Sequence, residues 1–353
     1  MEVLVLVLVL ALAAANGAND VPKGVATLSA AGVAKIRTAV IWGTITTAIG
    51  CLVSLTFAAK MTALFSKGIV SAAPTPAFAV AVLTGTSAWV AFATWRRLPV
   101  STTHALVGSL LGAGVLFASS SVNWGVLLNK VVGPLLLSVL GAYIVSITLT
   151  FVGRYTARQA AKRSAVRPGE QPKTVDASGG ASSAATVVET ESASAEQAKS
   201  KMSPVILLHW ATSGFTSFAR GMNDAPKIVA IGSFALIGGM TTTGLLFGVT
   251  LAMAIGGLVA GARIAKRLSV CVDNMTHVEG FTANLTTAAL VGLGAFQGLP
   301  MSTTQVSVGA IAGTAGTDFK RIKGKSFRDF GIAWLVTPPF AAGVAALTYL
   351  IAG

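Results

Sequence analysis

Charged residues are scarce in this chain. They make up 11% of its 353 residues, and hydrophobic residues make up 53%, whereas a soluble protein carries roughly a quarter charged residues. The apolar runs extend over about 17–25 residues, long enough for a helix to cross a hydrocarbon core of about 30 Å. The composition therefore excludes an ordinary soluble protein and predicts an all-α polytopic membrane protein.

Cysteine is rarer still, with 2 residues, and the 12 acidic residues are far fewer than the 26 basic ones. The two cysteines, Cys51 and Cys271, lie in or beside apolar segments and form no metal spacing such as C-x-x-C, so we expect inert buried thiols. The net charge is +14, but most lysines and arginines form short clusters between apolar segments. This distribution is the positive-inside pattern of membrane proteins, so we expect the lipid bilayer as surroundings and no nucleic-acid partner.

The apolar segments fall into two groups of five. They cover roughly residues 2–18, 38–59, 77–95, 100–119 and 124–152, and then roughly residues 204–219, 239–262, 280–297, 301–317 and 328–352. Shorter stretches rich in Gly and Ala, residues 20–36 and 224–238, are typical of broken helices or re-entrant pieces. We therefore predict about 10–12 membrane segments.

A segment of different composition separates the two groups. Residues 154–202 are rich in Ser, Ala, Gly, Glu, Lys and Thr and contain no aromatic residue after Tyr155. Such a segment cannot bury enough apolar surface to offset its chain entropy. We therefore predict a first membrane repeat over residues 1–153, a disordered linker over residues 154–202 and a second membrane repeat over residues 203–353.

Two polar signatures occur once in each half, in the same order. Residues 19–23 (Asn-Asp-Val-Pro-Lys) return as residues 223–227 (Asn-Asp-Ala-Pro-Lys), and residues 98–103 (Leu-Pro-Val-Ser-Thr-Thr) return as residues 299–304 (Leu-Pro-Met-Ser-Thr-Thr). Because five segments is an odd number, the second half is expected to enter the membrane with inverted topology. Inverted repeats bring matched signatures to one site near the bilayer midplane.

The charges suggest one orientation of these repeats. Placing the linker in the cytoplasm also places most of the basic clusters there, as the positive-inside rule requires. Both termini are then expected outside the cytoplasm, in a multi-pass protein of the inner (plasma) membrane.

The paired Asn-Asp residues suggest a cation site. Asn19, Asp20, Asn223 and Asp224 lie within apolar sequence, where an ionisable group is a functional hypothesis by default. Carboxylate and amide oxygens suit a hard cation such as Na⁺, and an aspartate also takes up and releases protons. The structural alternative is that each pair caps the helix that follows.

The Leu-Pro-x-Ser-Thr-Thr elements suggest an anion site. Proline breaks each apolar run, and the hydroxyls and free N–H groups of a new helix start bind tetrahedral oxyanions. The candidate residues are Ser101, Thr102, Thr103, Ser302, Thr303 and Thr304. Ordinary capping of the helix starts is the alternative for these hydroxyls.

Three further residues are auxiliary candidates. Lys23 and Lys227 follow the aspartates by about one helical turn, so they either neutralise the carboxylates, draw an anion inward or snorkel toward the interface. His104 follows the first Ser-Thr-Thr, but Gln305 takes its place in the second copy. We weigh His104 as a hydrogen-bonding core histidine against a proton relay.

These residues resemble the inorganic phosphate transporter (PiT) family of secondary transporters. The resemblance rests on residues 17–20 (Gly-Ala-Asn-Asp), on residues 217–224 (Ser-Phe-Ala-Arg-Gly-Met-Asn-Asp) and on the two Pro-x-Ser-Thr-Thr elements, and it spans both halves. It implies symport of inorganic phosphate with Na⁺ or H⁺. In this chain it assigns Asn19, Asp20, Asn223 and Asp224 to the cation and both Ser-Thr-Thr elements to phosphate.

The sequence departs from this family at several positions. Arg220 stands where members commonly have a histidine, Pro22 and Lys23 stand where small or amide residues are usual, and Thr47 stands where a glutamate is often found. These departures leave the coupling ion open, and they leave sulfate open as the anion because some relatives are sulfate permeases.

We therefore expect a secondary transporter that imports phosphate by alternating access, with no cofactor, no catalytic residue and no metal beyond a Na⁺ at the cation site. A sulfate permease of the same fold and a passive anion channel are the alternatives, and a homodimer is left open as the assembly. An intramembrane hydrolase using Ser101 and His104 is disfavoured because the second copy has no histidine.

Overall fold

The regular structure of this chain is helical. The structure is a computed structural model that describes residues 1–165, 204–236, 238 and 240–353. Within these ranges the only β-pairing is two isolated bridges, Val70–Val122 and Val272–Ile322. Helices are the expected outcome for long apolar runs, because a helix satisfies its backbone polar groups within its own segment. The predicted all-α fold is confirmed.

The first half of the chain contains five long helices and several short ones. They are α1 (Glu2–Asp20), α2 (Ala26–Ala30), α3 (Ile36–Phe57), α4 (Ala59–Ala63), α5 (Pro76–Trp95), α6 (Thr102–Ala118), α7 (Trp124–Val126) and α8 (Gly133–Ala165). A 3-10 turn (Val21–Gly24) leads into α2, and π-helical turns (Leu64–Gly68 and Leu127–Val132) follow α4 and α7.

The described part of the second half contains four long helices and one shorter helix, α12. They are α9 (Pro204–Gly232), α10 (Thr242–Ser269), α11 (His277–Gln297), α12 (Thr303–Thr314) and α13 (Gly324–Ala352). Each apolar segment predicted from the sequence thus overlaps one of these ten helices of the described residues.

Most of these helices are suited to crossing a membrane. By length and composition, 7 helical stretches of the described residues qualify, namely those over residues 2–24, 36–57, 76–95, 102–121, 124–156, 242–269 and 324–352. Helix α12 has 12 residues and is therefore about 18 Å long, too short to cross. It pairs with α11 as α6 pairs with α5, and a short paired helix of this kind suits a re-entrant hairpin.

The chain after each Asn-Asp pair differs between the halves. After Asp20 it forms the 3-10 turn and the short α2, as the prediction of short pieces required. After Asp224 the helix α9 continues unbroken to Gly232, with Pro226 inside it. The prediction of a break there was wrong. Pro226 removes one backbone donor, and the tight packing of this fully buried part of α9 supports the helix across that position.

The first residues of the predicted linker are helical, because α8 continues past residue 154 to Ala165. Arg154 holds this part of the helix, since its Nη2 donates to Oε1 of Glu279 at 2.6 Å. Gln159 also donates to the Tyr155 hydroxyl at 3.0 Å. The rest of the predicted linker lies outside the described residues.

Helix contacts in one half have counterparts that are obtained by exchanging the two halves. Helix α1 packs against α10 as α9 packs against α3, and α6 packs against α13 as α12 packs against α8. Gly17 in α1 and Gly256 in α10 each lie against a backbone carbonyl of the other helix, and Gly50 in α3 and Gly221 in α9 do the same. Small residues at membrane helix contacts permit such close backbone approach.

Candidate functional site

The four repeated motifs meet in one buried cluster. The end of α1 carries Asn19 and Asp20, the middle of α9 carries Asn223 and Asp224, and the starts of α6 and α12 carry the two Ser-Thr-Thr elements. Every predicted site residue except His104, which is partly buried, is buried in the protein. The close helix contacts described above bring these motifs together from distant parts of the sequence.

The two asparagine side chains tie α1 and α9 to two helical hairpins, which are the pairs α5–α6 and α11–α12. The Asn19 Oδ1 accepts from the Val100 N–H at 3.0 Å, and its Nδ2 donates to the Leu98 carbonyl at 2.9 Å. The Asn223 Oδ1 accepts from the Met301 N–H at 3.3 Å, and its Nδ2 donates to the Met301 carbonyl at 3.1 Å. Each asparagine therefore fixes the loop in front of the Ser-Thr-Thr element of its own half.

Lys23 lies inside the cluster and is surrounded by oxygen atoms. Its Nζ forms an ion pair with Oδ1 of Asp20. The same Nζ donates to the Val100 carbonyl at 2.7 Å and to the Thr304 hydroxyl at 2.5 Å. Because Thr304 belongs to the second half, this lysine joins the two halves.

Lys227 makes the corresponding contacts from the second half. Its Nζ donates to the Thr103 hydroxyl at 2.8 Å, lies 3.5 Å from Oδ1 of Asp224 and lies 3.5 Å from the Met301 carbonyl. Both lysine side chains are 1% exposed, so they do not snorkel toward an interface. Of the roles considered for them, pairing with the aspartates is the one whose contacts are present.

Asn16 and Arg220 also belong to the cluster, although they lie outside the predicted site residues. Each precedes its motif aspartate by four residues on the same helix face. The Asn16 Nδ2 donates to Oδ2 of Asp20 at 3.0 Å and lies 3.4 Å from Oδ2 of Asp224, so it is placed between the two carboxylates. The Arg220 Nη1 lies 3.9 Å from Oδ2 of Asp224, and its Nη2 donates to the Thr47 hydroxyl.

The family of the chain follows from a comparison with known sequences. Residues 16–345 match the sequence profile described as the phosphate transporter family. The chain belongs to that family. It is accordingly a transporter and not an enzyme, which disposes of the hydrolase alternative.

Relatives of this transporter cover nearly its whole length. A protein of Pyrococcus abyssi described as "Putative phosphate permease" is 27% identical over 99% of this chain and 97% of its own length. A protein of Mycobacterium tuberculosis described as "Probable low-affinity inorganic phosphate transporter" is 27% identical over 98% of this chain and 76% of its own. A solved structure titled "The sodium-dependent phosphate transporter" has a similar fold, with a TM-score of 0.73 and 21% identity over 99% of this chain and 98% of that one.

The helix starts of the transporter use their hydroxyls in two ways. Ser101 and Ser302 are N-caps, since their Oγ atoms accept from the backbone N–H of His104 and Gln305, both at 3.2 Å. The third hydroxyl of each element crosses to the other hairpin, since Thr304 donates to the Val100 carbonyl at 2.6 Å and Thr103 donates to the Met301 carbonyl at 3.4 Å. The capping alternative therefore holds for the serines, and the threonines are the hydroxyls placed between the halves.

Thr102, Thr303 and His104 do not make the contacts between the halves that Thr103 and Thr304 make. The Thr102 hydroxyl accepts from Asn16 at 3.0 Å, and Thr303 is buried at the first residue of α12. Nδ1 of His104 has no hydrogen-bond partner among the described residues, and the same is true of Oε1 of Gln305. Among the described residues, Nδ1 of His104 thus makes no hydrogen bond that would support the interpretation of a hydrogen-bonding core histidine.

The cluster combines excess positive charge with free donors. Lys23, Lys227 and Arg220 face Asp20 and Asp224, which gives a formal charge of 3 − 2 = +1. Among the described residues, Nε and Nη1 of the buried Arg220 have no hydrogen-bond partner. Buried donors without partners are unfavourable, and an oxyanion is the ligand that would satisfy them.

Proposed function

We propose that this transporter imports inorganic phosphate in symport with a cation, by alternating access. The observation that supports the proposal most directly is a pair of hydrogen bonds between the halves, since each lysine donates to a threonine hydroxyl of the opposite half. A ligand bound among these groups contacts both halves at once. Movement of one half against the other then changes the side from which the ligand is reached.

The chemistry of the cluster supports phosphate as the ligand. Phosphate offers several acceptor oxygens and a negative charge, and arginine and the starts of helices are common phosphate partners. In this proposal Ser101, Thr102 and Thr103 with Ser302, Thr303 and Thr304 form the two helix starts around the anion. Arg220 adds a charged donor beside them.

The cation side of the proposal rests on the carboxylates. Asp20 and Asp224, together with the amides of Asn19 and Asn223, are the groups assigned to a coupling Na⁺ or H⁺. A positive ion at these oxygens would offset the repulsion between phosphate and the carboxylates. The names of the relatives agree with phosphate, and the sulfate permease remains the second candidate because sulfate is also a tetrahedral oxyanion.

Competition between anions tests the substrate. We expect purified protein in proteoliposomes to take up radiolabelled phosphate, and we expect excess unlabelled phosphate or arsenate to block this uptake while excess sulfate does not. The physical reason is that arsenate has the shape and protonation of phosphate, whereas sulfate carries no proton to donate near neutral pH. Uptake that sulfate blocks as well as phosphate does would favour the sulfate permease.

The same vesicles separate a symporter from a passive anion channel. A symporter accumulates phosphate above its equilibrium distribution when a cation gradient is imposed, and the accumulation collapses when an ionophore dissipates that gradient. Uptake that never exceeds the equilibrium distribution would contradict the proposal. Empty liposomes prepared in parallel provide the baseline.

We further propose that the two halves are inverted repeats, with the segment between α8 and α9 in the cytoplasm and both termini outside it. The concentration of lysine and arginine in the loops on the linker side supports this orientation. Single cysteines placed at residue 2 and at residue 180 of a cysteine-free variant should react with an impermeant maleimide only from outside and only from inside the cell, respectively. The reverse labelling pattern would refute the orientation.

A further inference from the structure

We infer that the ammonium groups of Lys23 and Lys227 act as tethered cations at the two Asn-Asp pairs, so that transport by this chain does not require Na⁺. The inference rests on the proposed function, because it specifies the cation side of the same site. It concerns which positive charge faces each motif aspartate.

The surroundings of Lys23 are those of a hard cation. Its three N–H donors are matched by three oxygens of different kinds, namely the Asp20 carboxylate, the Val100 carbonyl at 2.7 Å and the Thr304 hydroxyl at 2.5 Å. Carboxylate, carbonyl and hydroxyl oxygens are also the ligands that hard metal cations prefer. The ammonium group therefore occupies the position that this oxygen set offers to a metal ion.

Lys227 repeats the arrangement in the second half. Its oxygen neighbours are again a motif carboxylate, the backbone carbonyl in front of a Ser-Thr-Thr element and a threonine hydroxyl, contributed by Asp224, Met301 and Thr103. Both lysines take the carbonyl from the hairpin of their own half and the hydroxyl from the opposite hairpin. The same environment built twice indicates two equivalent positions for a positive charge, each occupied by the protein itself.

Each of the four oxygens of the Asp20 and Asp224 carboxylates already has a polar or charged group of the protein beside it. In Asp20, Oδ1 pairs with Lys23 and Oδ2 accepts from Asn16 at 3.0 Å. In Asp224, Oδ1 accepts from Asn223 at 2.8 Å and lies 3.5 Å from the Nζ of Lys227. The remaining Oδ2 of Asp224 lies 3.4 Å from Nδ2 of Asn16 and 3.9 Å from Nη1 of Arg220.

The net charge of the cluster also disfavours a bound Na⁺ ion. With three basic and two acidic side chains the cluster already has a formal charge of 3 − 2 = +1. A Na⁺ ion at either aspartate would have to displace the lysine ammonium group, which the protein chain holds beside that aspartate. The remaining positive charges would also repel the Na⁺ ion. A phosphate anion, by contrast, meets a site whose carboxylates are already neutralised.

Replacement of Na⁺ tests the inference with the intact chain. Initial rates of phosphate uptake into proteoliposomes are measured with Na⁺ or with choline outside, at the same external and internal pH. We expect equal rates in the two media and no uptake of ²²Na⁺ coupled to phosphate. A rate lower by about tenfold or more in choline, as mass action requires when an obligatory ligand is removed, would overturn the inference while leaving phosphate symport intact. Absence of phosphate uptake in every medium would instead overturn the proposed function, and the inference with it.

A lysine variant provides a second readout. Lys23→Ala removes the tethered cation and leaves the carboxylate of Asp20, so Na⁺ should now bind and raise the melting temperature of the detergent-solubilised variant by about 2–4 °C. The wild-type protein and the variant Lys67→Ala, which changes an exposed lysine outside the cluster, should show no such shift. A Na⁺-dependent shift in the wild-type protein would overturn the inference, and this measurement on the wild type decides even where Lys23→Ala fails to fold.

Discussion

Asp20→Asn is expected to abolish phosphate uptake and to lower the stability of the folded protein. The substitution leaves the Lys23 ammonium group buried without its carboxylate partner. Removing one partner of a buried ion pair costs about 3–5 kcal/mol, and a loss of that size in the binding of the transport-competent state would reduce uptake by about 100-fold or more. Proteoliposome uptake, measured with the melting temperature in detergent, gives both quantities.

Two controls separate charge balance from transport. The double variant Asp20→Asn/Lys23→Gln removes both charges, so it should recover much of the stability while still failing to transport. Asp329→Asn changes a partly exposed pair with Arg267, whose closest N–O distance is 2.7 Å, and exposed pairs contribute about 0–1 kcal/mol. Wild-type uptake by Asp20→Asn would eliminate the carboxylate from the mechanism.

Gly17→Ala is expected to destabilise the packing of α1 against α10. A Cβ at this position would collide with the backbone carbonyl of Met253, and a backbone carbonyl cannot rotate away as a flexible side chain can. Overpacking of this kind costs about 1–3 kcal/mol. The corresponding substitution Gly256→Ala meets the backbone carbonyl of Ala14 and should cost a similar amount. Thermal unfolding in detergent, with the yield of monodisperse protein, measures the effect.

Gly141→Ala is the matched control for both glycine variants. Gly141 lies within α8, and a Cβ there would meet no atom within 4 Å. Because alanine favours a helix over glycine by about 1 kcal/mol, this variant should be as stable as the wild type or more so. Equal melting temperatures for Gly17→Ala and Gly141→Ala would show that the close approach of α1 and α10 is not needed.

The positions of the long helices could be predicted from the sequence because the bilayer imposes them. An apolar run must form a helix to satisfy its backbone, and its length is fixed by the thickness of the membrane. The segment predicted over residues 77–95 thus matches α5 (Pro76–Trp95) closely. Helix α8 continues past the predicted start of the linker. Its Arg154 contacts Glu279, 125 positions away in the chain, and no local pattern in the sequence predicts a contact between residues so far apart.

The candidate site, too, could be predicted only in part from the sequence. That Asn19, Asp20 and their counterparts face one site followed from the duplication itself. The hydrogen bonds of Asn19 and Asn223 to the hairpin loops did not, because a side-chain amide in a sequence does not reveal which backbone group will face it. Arg220 and Asn16 gave a weak signal, since each stands four residues before its aspartate.

The amino-acid sequence was sufficient to predict a helical membrane protein with two matched halves and to single out four repeated motifs as the candidate site. Composition and repetition are properties of the chain alone, so they are available before folding is considered. The pairing of Lys23 with Asp20 and its contact with Thr304, 281 residues away in the chain, became visible in the folded structure. Contacts across the two halves depend on how the helices pack, and that packing fixes which positive charge each aspartate faces.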